Sequence, residues 1–419
     1  MTLQHSPSPA PLRIALVAPP MKAVPPIGYG GTERVVASLA SGLIARGHDV
    51  TVFTSGDAET EARIVPIVPR ALWETGYRGD VAAYMQLAAA MVWRQAEQFD
   101  VIHSHLENHG FLLARYSDTP VVTTLHGRLD VAGMDVLLGE FRDVPLVAIS
   151  ANQRRWLPDQ NWLATIHHGL PLDAMPARRR PGDYLVVVGR MSAEKGIVEA
   201  IELSRRTGIP LRIAAKVHDV QERELFEEVR SAFEGGSVTF LGEVRGAERD
   251  ELMAGALATL MLGSWPEPFG LVAIESLATG TPVIARRSGA LPEIVEPGVD
   301  GFLVDDLIEA EQAVRRVGEL DRIRIRKRAL ERFSTARMAG EYETVYRRLI
   351  ARRQTFRLAT GPRDHGLDAL ATPNVHSEFG LNGDDALQLT GPSEALVPGR
   401  GSRATLDQEG ASGRNGRPG

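Results

Sequence analysis

Cysteine is absent from this chain of 419 residues, which excludes disulfides, thiolate nucleophiles and cysteine-ligated zinc or iron–sulfur sites. Long apolar runs are lacking too, because stretches such as residues 87–93 are too short to span a bilayer. Basic residues are not in excess, since 47 Lys and Arg stand against 53 Asp and Glu, which argues against nucleic-acid binding. The N-terminal residues lack the basic-then-apolar order of a secretory signal, so we expect a cytoplasmic protein.

Two common motifs for phosphates and metals are also missing. No G-x-x-x-x-G-K-[ST] loop occurs, which argues against a kinase or an ATPase. No Asp-x-Asp triplet occurs, so a divalent-metal clamp built on that triplet has no candidate residues. We therefore predict no metal site and no cofactor.

Strand-like and helix-like segments alternate along the chain, which is typical of an α/β protein with parallel sheets. The alternation begins at RIALVAP and begins again at DYLVVVGR, so we predict two doubly wound Rossmann-like domains facing each other across a cleft. The predicted division is a flexible lead-in (1–11), a first domain (12–170), a linker (171–182), a second domain (183–333), a terminal helix that crosses back to the first domain (334–354) and a disordered tail (355–419).

The segment WPEPFGLVAIESLATGTP, residues 265–282, contains the densest chemical signal. Glu267 and Glu275 are spaced to flank one ligand, and carboxylates accept hydrogen bonds from sugar hydroxyls. A helix is predicted to open at Gly270. The backbone amides of Gly270, Leu271 and Val272 would then lie at the positive end of the helix dipole, which suits a phosphate.

Two further loops are candidates for a diphosphate site. In GYGGTER, Gly30 and Gly31 precede a helix that Thr32 is predicted to cap, and such glycines let backbone amides approach an anion. In VVVGRMSAEKGI, Arg190 ends a buried strand and Lys195 lies at the mouth of the next helix, where cations neutralise a leaving diphosphate. Taken alone, the first loop also fits a glycine-rich surface loop, and the second also fits two solvated cations.

Histidines cluster at the strand ends of the first half, and His126 in TLHG is the best candidate for a functional ring. It follows a β-rich run and precedes a glycine, which places it in the cleft; a buried, satisfied histidine is the alternative. Metal ligation by His103, His105 and His109 is disfavoured, because a strand and a loop provide no helical i, i+4 spacing. The basic run 322–332 is read as a solvated helix rather than a membrane-docking one.

The segments EPFGLVAIE with TGTPVI, and G-R-x-x-x-E-K-G, resemble the signatures of family-4 glycosyltransferases, retaining enzymes with the two-domain GT-B fold. The resemblance covers about residues 12–350. The segments GGTERVV, KVHD, FLGEV and PEPFGLV are similar to a bacterial subgroup described as glucosyltransferases acting on tetrahydrobiopterin. This likeness makes UDP-glucose the leading donor and leaves the acceptor open.

The resemblance implies transfer of a sugar from a nucleoside diphosphate sugar to an acceptor, with retention of configuration and without a metal. It also implies that the second domain (183–333) binds the nucleotide sugar and that the first domain (12–170) lies on the acceptor side. The donor diphosphate would meet Gly30, Gly31, Arg190 and Lys195. His126 and Glu267 would act at the donor sugar, with Phe269 beside them, and Glu275 would hold the ribose. In the front-face mechanism proposed for such enzymes, the leaving phosphate deprotonates the acceptor, so no general base is expected.

Two departures from the family pattern concern the presumed cleft: Ser264-Trp265-Pro266 precedes Glu267, and His168-Gly169 stands where Asn-Gly is common. Two other functions remain open at this stage. A GT-B epimerase would use the same phosphate-binding residues and release an epimer of its nucleotide sugar. A non-catalytic protein would bind a sugar nucleotide without turning it over.

Overall fold

Two parallel β-sheets form the framework of residues 10–28 and 30–360, which are the residues the structure describes. The structure is a computed structural model, and it leaves the side chains of residues 356–360 undescribed. Most of the predicted lead-in (1–11) and of the predicted tail (355–419) therefore lies outside the described residues.

The first sheet has the strand order β3-β2-β1-β4-β5-β6-β7, and the second has the order β10-β9-β8-β11-β12-β13. All neighbouring strands are parallel. The strands are β1 (Arg13–Val17), β2 (Asp49–Ser55), β3 (Arg63–Val68), β4 (Val101–Ser104), β5 (Val121–Thr124), β6 (Leu146–Ala148), β7 (Trp162–Thr165), β8 (Leu185–Arg190), β9 (Leu211–Lys216), β10 (Val238–Phe240), β11 (Ala258–Met261), β12 (Val283–Arg286) and β13 (Gly301–Val304).

Helices cover both faces of each sheet, as expected of doubly wound sheets. The α-helices in the described part of the chain are α1 (Gly31–Ala45), α2 (Val81–Trp93), α3 (Phe111–Tyr116), α4 (Met134–Glu140), α5 (Ala151–Arg154), α6 (Ile197–Thr207), α7 (Val220–Val229), α8 (Gly246–Ala254), α9 (Leu271–Ala278), α10 (Leu291–Ile294), α11 (Leu307–Val317), α12 (Arg322–Arg332) and α13 (Thr335–Thr360). The predicted α/β class with two Rossmann-like sheets is confirmed. Among these helices, none combines the length and the apolar composition needed to cross a bilayer.

The strand order reverses beside β1 in the first sheet and beside β8 in the second. Connections leave the two strands at such a point in opposite directions, which opens a crevice at the carboxyl ends of the strands. The loops that follow β1, β5, β8, β10 and β11 line the cavity described below, and Lys216, the last residue of β9, borders it.

Helix α13 packs on the first sheet, together with α1. Its Met338, Ala339, Tyr342 and Tyr346 are fully buried in the core that β1 and α1 also enter. The Tyr346 hydroxyl lies 2.7 Å from Nδ1 of His103, which joins the helix to strand β4. The helix continues to Thr360, beyond the boundary predicted at residue 354.

The predicted cap of α1 is wrong. The helix begins at Gly31, its N-cap is Gly30, and no side chain forms a capping hydrogen bond. Thr32 lies inside the first turn and lines the cavity instead. The first-turn amides of α1 are therefore not occupied by a cap.

The prediction of a solvated helix over the basic run 322–332 is wrong for its inward-facing arginines. The run forms α12, and Arg322 is only 5% exposed. Its guanidinium donates to the carbonyl oxygens of Ala256 and Ala254 at 3.0 and 2.8 Å, and Arg326 donates to other main-chain carbonyls. A guanidinium has five N–H donors, so one arginine satisfies several buried carbonyls at once.

Candidate active site

A cavity of about 510 Å³ lies between loops of the two sheets. All eleven residues predicted from the sequence for the site border it: Gly30, Gly31, His126, Arg190, Lys195, Glu267, Phe269, Gly270, Leu271, Val272 and Glu275. Its size is in the usual range for small-ligand sites.

The N-termini of two helices lie close together at the wall of the cavity. In the second half, α9 begins at Leu271, directly after Gly270, whose φ of 102° favours glycine. A Cβ on Gly270 would also lie 3.0 Å from a Leu291 methyl group. In the first half, α1 begins at Gly31, and a Cβ there would lie 3.5 Å from Cδ1 of Leu271. The unpaired first-turn amides of two helices thus converge on one space, which favours an anion.

Position 30 needs a glycine because there is no room for a side chain, and not because of its backbone angle, since its φ of 171° is extended. A Cβ on Gly30 would lie 2.9 Å from the side chains of both Lys22 and Pro26. The absence of a side chain therefore lets the loop after β1 pack closely beneath the start of α1.

Glu267 is fixed by a hydrogen bond to its main chain, and its side chain is paired with a cation. Its carbonyl oxygen accepts from the Ala290 amide at 2.8 Å, and a Cβ on Gly289 would lie 2.5 Å from the Glu267 nitrogen. Glycine at position 289 is thus what allows the two loops to meet. The Glu267 carboxylate forms a short ion pair with Nζ of Lys195.

The loop after β8 also pairs its charges internally. Arg190 forms a short contact with Glu194, and its other terminal nitrogen lies 3.5 Å from Glu222. Lys195 is followed by Gly196, whose φ is 76° and where a Cβ would lie 2.4 Å from the Gly263 amide nitrogen. Both predicted phosphate ligands are therefore present at the cavity and paired with carboxylates.

Glu275 is buried, with its side chain 1% exposed. It pairs with Arg34 from α1 in a short contact, and with Arg249 from α8 at 2.9 Å. Arg249 also lies 2.8 Å from Asp250. The carboxylate predicted to hold a ribose thus accepts from two arginines, one from each half of the molecule.

Three histidines line up towards the cavity. Nδ1 of His105 lies 2.9 Å from Nε2 of His126, and the His126 ring stacks on that of His168 with their centroids 5.2 Å apart. The His168 ring in turn meets the edge of Phe269 at 4.8 Å. Burial lowers the pKa of His126 to about 4, so the ring is neutral at physiological pH.

The other histidines serve the core or the loops. His103 is fully buried and lies 2.7 Å from both the Tyr346 and the Thr124 hydroxyl. Nδ1 of His109 lies 3.1 Å from the carbonyl oxygen of Leu106. Within residues 10–28 and 30–360, no group of three or more His, Asp or Glu side chains is arranged to hold a metal ion.

The two departures from the family pattern differ in their structural roles. Trp265 and His168 line the cavity, and the Trp265 ring lies 4.2 Å from the guanidinium carbon of Arg128. Gly169 does not line it: a Cβ there would lie 2.3 Å from the carbonyl oxygen of Ser334. Glycine at 169 is therefore explained by the close approach of the chain just before α13.

Comparison with known families matches both halves of the chain. Residues 29–184 match the family described as Glycosyltransferase Family 4, and residues 176–334 match the one described as Glycosyl transferases group 1. The chain is a glycosyltransferase of this group. The first match contains the glycine loop and His126, and the second contains every predicted site residue from Arg190 onward.

The glycosyltransferase is 29% identical to the glycogen synthase of Mycobacterium tuberculosis, over 66% of this chain and 79% of that protein. Among solved structures, sucrose-phosphate synthase from Thermosynechococcus elongatus aligns with a TM-score of 0.68 at 21% identity, over 81% of this chain and 99% of the other. Anabaena HepE in complex with UDP and glucose aligns with a TM-score of 0.62 at 17% identity, over 80% and 98%. The structural likenesses establish the GT-B fold.

Four cations that line the cavity of the glycosyltransferase were missed in the sequence: Arg34, Lys216, Arg245 and Arg249. Arg245 lies 2.7 Å from Glu243. Arg34 and Arg249 reach Glu275, and Lys216 ends β9 beside the end of β8. Lys216 has no ion-pair partner among the described residues. A signal was available for two of them, since Arg34 lies in GGTERVV and Lys216 opens KVHD, two of the segments that carry the resemblance.

Proposed function

We propose that this glycosyltransferase moves a hexose, with UDP-glucose as the leading donor, to an acceptor with retention of anomeric configuration and without a metal ion. The observation that supports it is the convergence of two helix N-termini, Arg190, Lys195 and Glu267 on one cavity. Six cationic side chains and four carboxylates line this cavity, which suits a ligand with an anionic diphosphate and a neutral sugar.

The choice of donor rests on relatives and on sequence. HepE is a GT-B neighbour solved with UDP and glucose, and the segments GGTERVV and PEPFGLV resemble a subgroup described as glucosyltransferases. The glycogen synthase and sucrose-phosphate synthase neighbours are named for different products, so they favour no single acceptor.

The leaving group sets the electrostatic demand. When the bond between sugar and diphosphate breaks, negative charge grows on the phosphate oxygens. In this proposal, Arg190, Lys195 and the amides of Gly31 and Leu271, all at the cavity wall, would stabilise that charge. These groups would stabilise the leaving diphosphate as a divalent metal ion does in metal-dependent transferases. In this proposal, the leaving phosphate accepts the proton of the acceptor hydroxyl, so no side chain serves as general base.

Donor binding would exchange ion-pair partners inside the cavity. Lys195 is paired with Glu267 in the structure. A donor phosphate that takes over Lys195 would release the Glu267 carboxylate to accept hydrogen bonds from the sugar hydroxyls. The ribose would likewise compete with Arg34 and Arg249 for Glu275.

The predicted division of labour between the halves is also part of the proposal. Residues 183–333 would bind the donor, and residues 12–170 would hold the acceptor and contribute His126. His126 would donate a hydrogen bond to the donor sugar, since its neutral ring carries one N–H.

A panel of UDP-, GDP- and ADP-sugars tests the proposal, with thermal stabilisation, slow donor hydrolysis and the configuration of the released sugar as readouts. We expect a UDP-sugar to bind and to be hydrolysed with retention, and EDTA to change nothing. Glu267→Ala should lower turnover by about 10²–10³-fold, while Glu202→Gln on α6, outside the cavity wall, should not. Activity lost with EDTA, release of an epimer, or full turnover by Glu267→Ala would contradict the proposal.

A further inference from the structure

The main chain of residues 125–127, which carries His126, is held by the side chains of Gln153 and Glu107. Nε2 of Gln153 donates to the carbonyl oxygens of Leu125 and Gly127 at 2.9 and 2.7 Å. The Glu107 carboxylate accepts from the His126 amide at 2.9 Å and also faces the Gly127 amide. Side chains thus pair with the amides of His126 and Gly127 and with the carbonyl oxygens of Leu125 and Gly127. Loops usually leave such groups to solvent.

Glu107 adopts a strained backbone to reach this position. Its φ is 51°, and it is the one non-glycine residue in the described part of the chain with a positive φ. A left-handed conformation costs an L-residue about 1–2 kcal/mol, and such strain concentrates at functional sites. The Glu107 carboxylate also has no ion-pair partner in the part of the chain that the structure describes. Burial raises its pKa to about 7, and the two amides offset this only in part.

The His126 ring has a second, separate constraint. Its Nε2 lies 2.9 Å from Nδ1 of His105, so one of these nitrogens donates and the other accepts. Burial lowers the pKa of both rings, which are therefore neutral and carry one N–H each. Nε2 of His105 is buried and has no partner among the described residues.

This arrangement selects a tautomer. If His105 carried its proton on Nε2, a buried N–H would lack an acceptor, which is rare in folded proteins. If His105 carries it on Nδ1, that N–H is used by Nε2 of His126. His126 must then carry its own proton on Nδ1, and Nδ1–H is the group left to meet a ligand in the cavity.

We propose that Glu107, Gln153 and His105 are positioning residues that fix the main chain and the ring tautomer of His126, so that the ring presents Nδ1–H as a hydrogen-bond donor to the bound sugar nucleotide. The inference rests on the proposed function, because it gives His126 a sugar-nucleotide ligand. A purely structural cluster fits less well, because a strained residue, an unpaired ring nitrogen and a desolvated carboxylate all lower the stability of the folded protein. Proteins retain such destabilising features mainly at functional sites.

Nitrogen-15 NMR of the full-length protein with labelled histidine tests the tautomer without any activity measurement. The spectrum should show His126 protonated at Nδ1 and bare at Nε2. His105→Asn keeps a donor near the place of Nδ1, so the tautomer should persist, whereas His105→Leu should shift His126 towards a mixture. A wild-type His126 protonated at Nε2 would overturn the inference.

Kinetics with the donor provide the second test. His105→Leu and Glu107→Leu should lower kcat by about 10²-fold, as expected for a misplaced reacting group, with KM for the donor changed less than about threefold. His105→Asn and Glu107→Gln should recover most of the loss. His48→Asn and Glu343→Gln are the matched controls, since both change buried groups that lie outside the cavity wall, and they should leave kcat unchanged.

The two proposals fail in different ways. If the wild-type protein neither binds nor turns over any sugar nucleotide, the proposed function is wrong. If the wild-type protein is active and His105→Leu and Glu107→Leu match its kcat, the positioning role is wrong and the proposed function stands. Should a leucine variant not fold, the asparagine and glutamine variants and the wild-type spectrum still decide.

Discussion

Glu107 couples the candidate site to pH. An acid whose pKa rises on folding, here from its ordinary 4.5 to about 7, binds its proton more tightly in the folded state. The stability that this protonation provides is therefore lost as the pH rises from about 4.5 to 7. Above pH 7, the folded protein carries the full cost of a buried carboxylate.

Glu107→Gln should leave the free energy of unfolding nearly unchanged at pH 5 and raise it by roughly 3 kcal/mol at pH 8. The reason is that glutamine resembles the protonated acid and cannot ionise. Denaturant titrations at both pH values measure the difference. Glu343→Gln is the contrasting control: burial tends to raise the pKa of Glu343, but Arg46 and Arg347 outweigh it and lower the pKa. That variant should lose stability at pH 8, and a pH-independent effect of Glu107→Gln would contradict the prediction.

Sequence motifs located the cavity wall but not its internal pairing. Each predicted residue belongs to a short segment with its own spacing, so its position relative to a strand end or a helix start could be predicted locally. The ion pairs could not, because Arg34 lies 241 residues from Glu275 and Lys195 lies 72 residues from Glu267. The first pair depends on how the two halves meet, and the second depends on how two loops of the second half meet. No local pattern encodes either contact.

The crossing of α1 and α13 depends on one glycine. A Cβ on Gly42 would lie 2.8 Å from both the Ala339 Cβ and a Thr335 methyl group. Beside this contact, Ser38 and Thr335 share a hydrogen bond of 2.7 Å. The two helices therefore approach closely at Gly42. This close approach lets α13 pack beside α1 on one face of the first sheet.

Gly42→Ala should lower the free energy of unfolding by about 1–3 kcal/mol, because the added methyl group overpacks the crossing. Helix propensity alone predicts the opposite sign, since alanine is favoured over glycine by about 1 kcal/mol. Gly139→Ala in α4 is the matched control: a Cβ there would have no neighbour within 4 Å, so it should stabilise. Thermal and denaturant unfolding of the two variants show whether packing or helix propensity sets the sign of the change in stability. A Gly42→Ala variant that is more stable than the wild type would contradict the close crossing.

Elements with a regular apolar period were predicted well, and the exceptions have physical reasons. Strand β3 has no clear signal in the sequence, because only residues 56–62 join it to β2, without the crossover helix that usually links parallel strands. Pro66 also interrupts its pattern, and proline is tolerated there because β3 is an edge strand. Helix α12 was predicted as a helix but assigned the wrong surroundings, since a run of arginines reads as solvated unless its carbonyl partners are known.

Contacts across the cavity hold the two halves together in the structure. The ion pair of Arg34 with Glu275 is one, the stacking of Arg128 on Trp265 is another, and the Ser150 hydroxyl donates to the Pro268 carbonyl at 2.8 Å. The first of these involves a residue that the proposed donor would contact. Donor binding and the relative position of the halves are therefore expected to be coupled, as in enzymes whose clefts close on their substrates.

An experimental structure of the full-length protein with UDP tests the central claim most directly, which is that the cavity between the sheets is the donor site. We expect the diphosphate between the N-termini of α1 and α9, within hydrogen-bond distance of Arg190 and Lys195, with the Lys195 to Glu267 ion pair opened and the ribose at Glu275. A structure in which UDP binds outside this cavity, or binds within it while Lys195 stays paired with Glu267 and away from the phosphates, would contradict the claim.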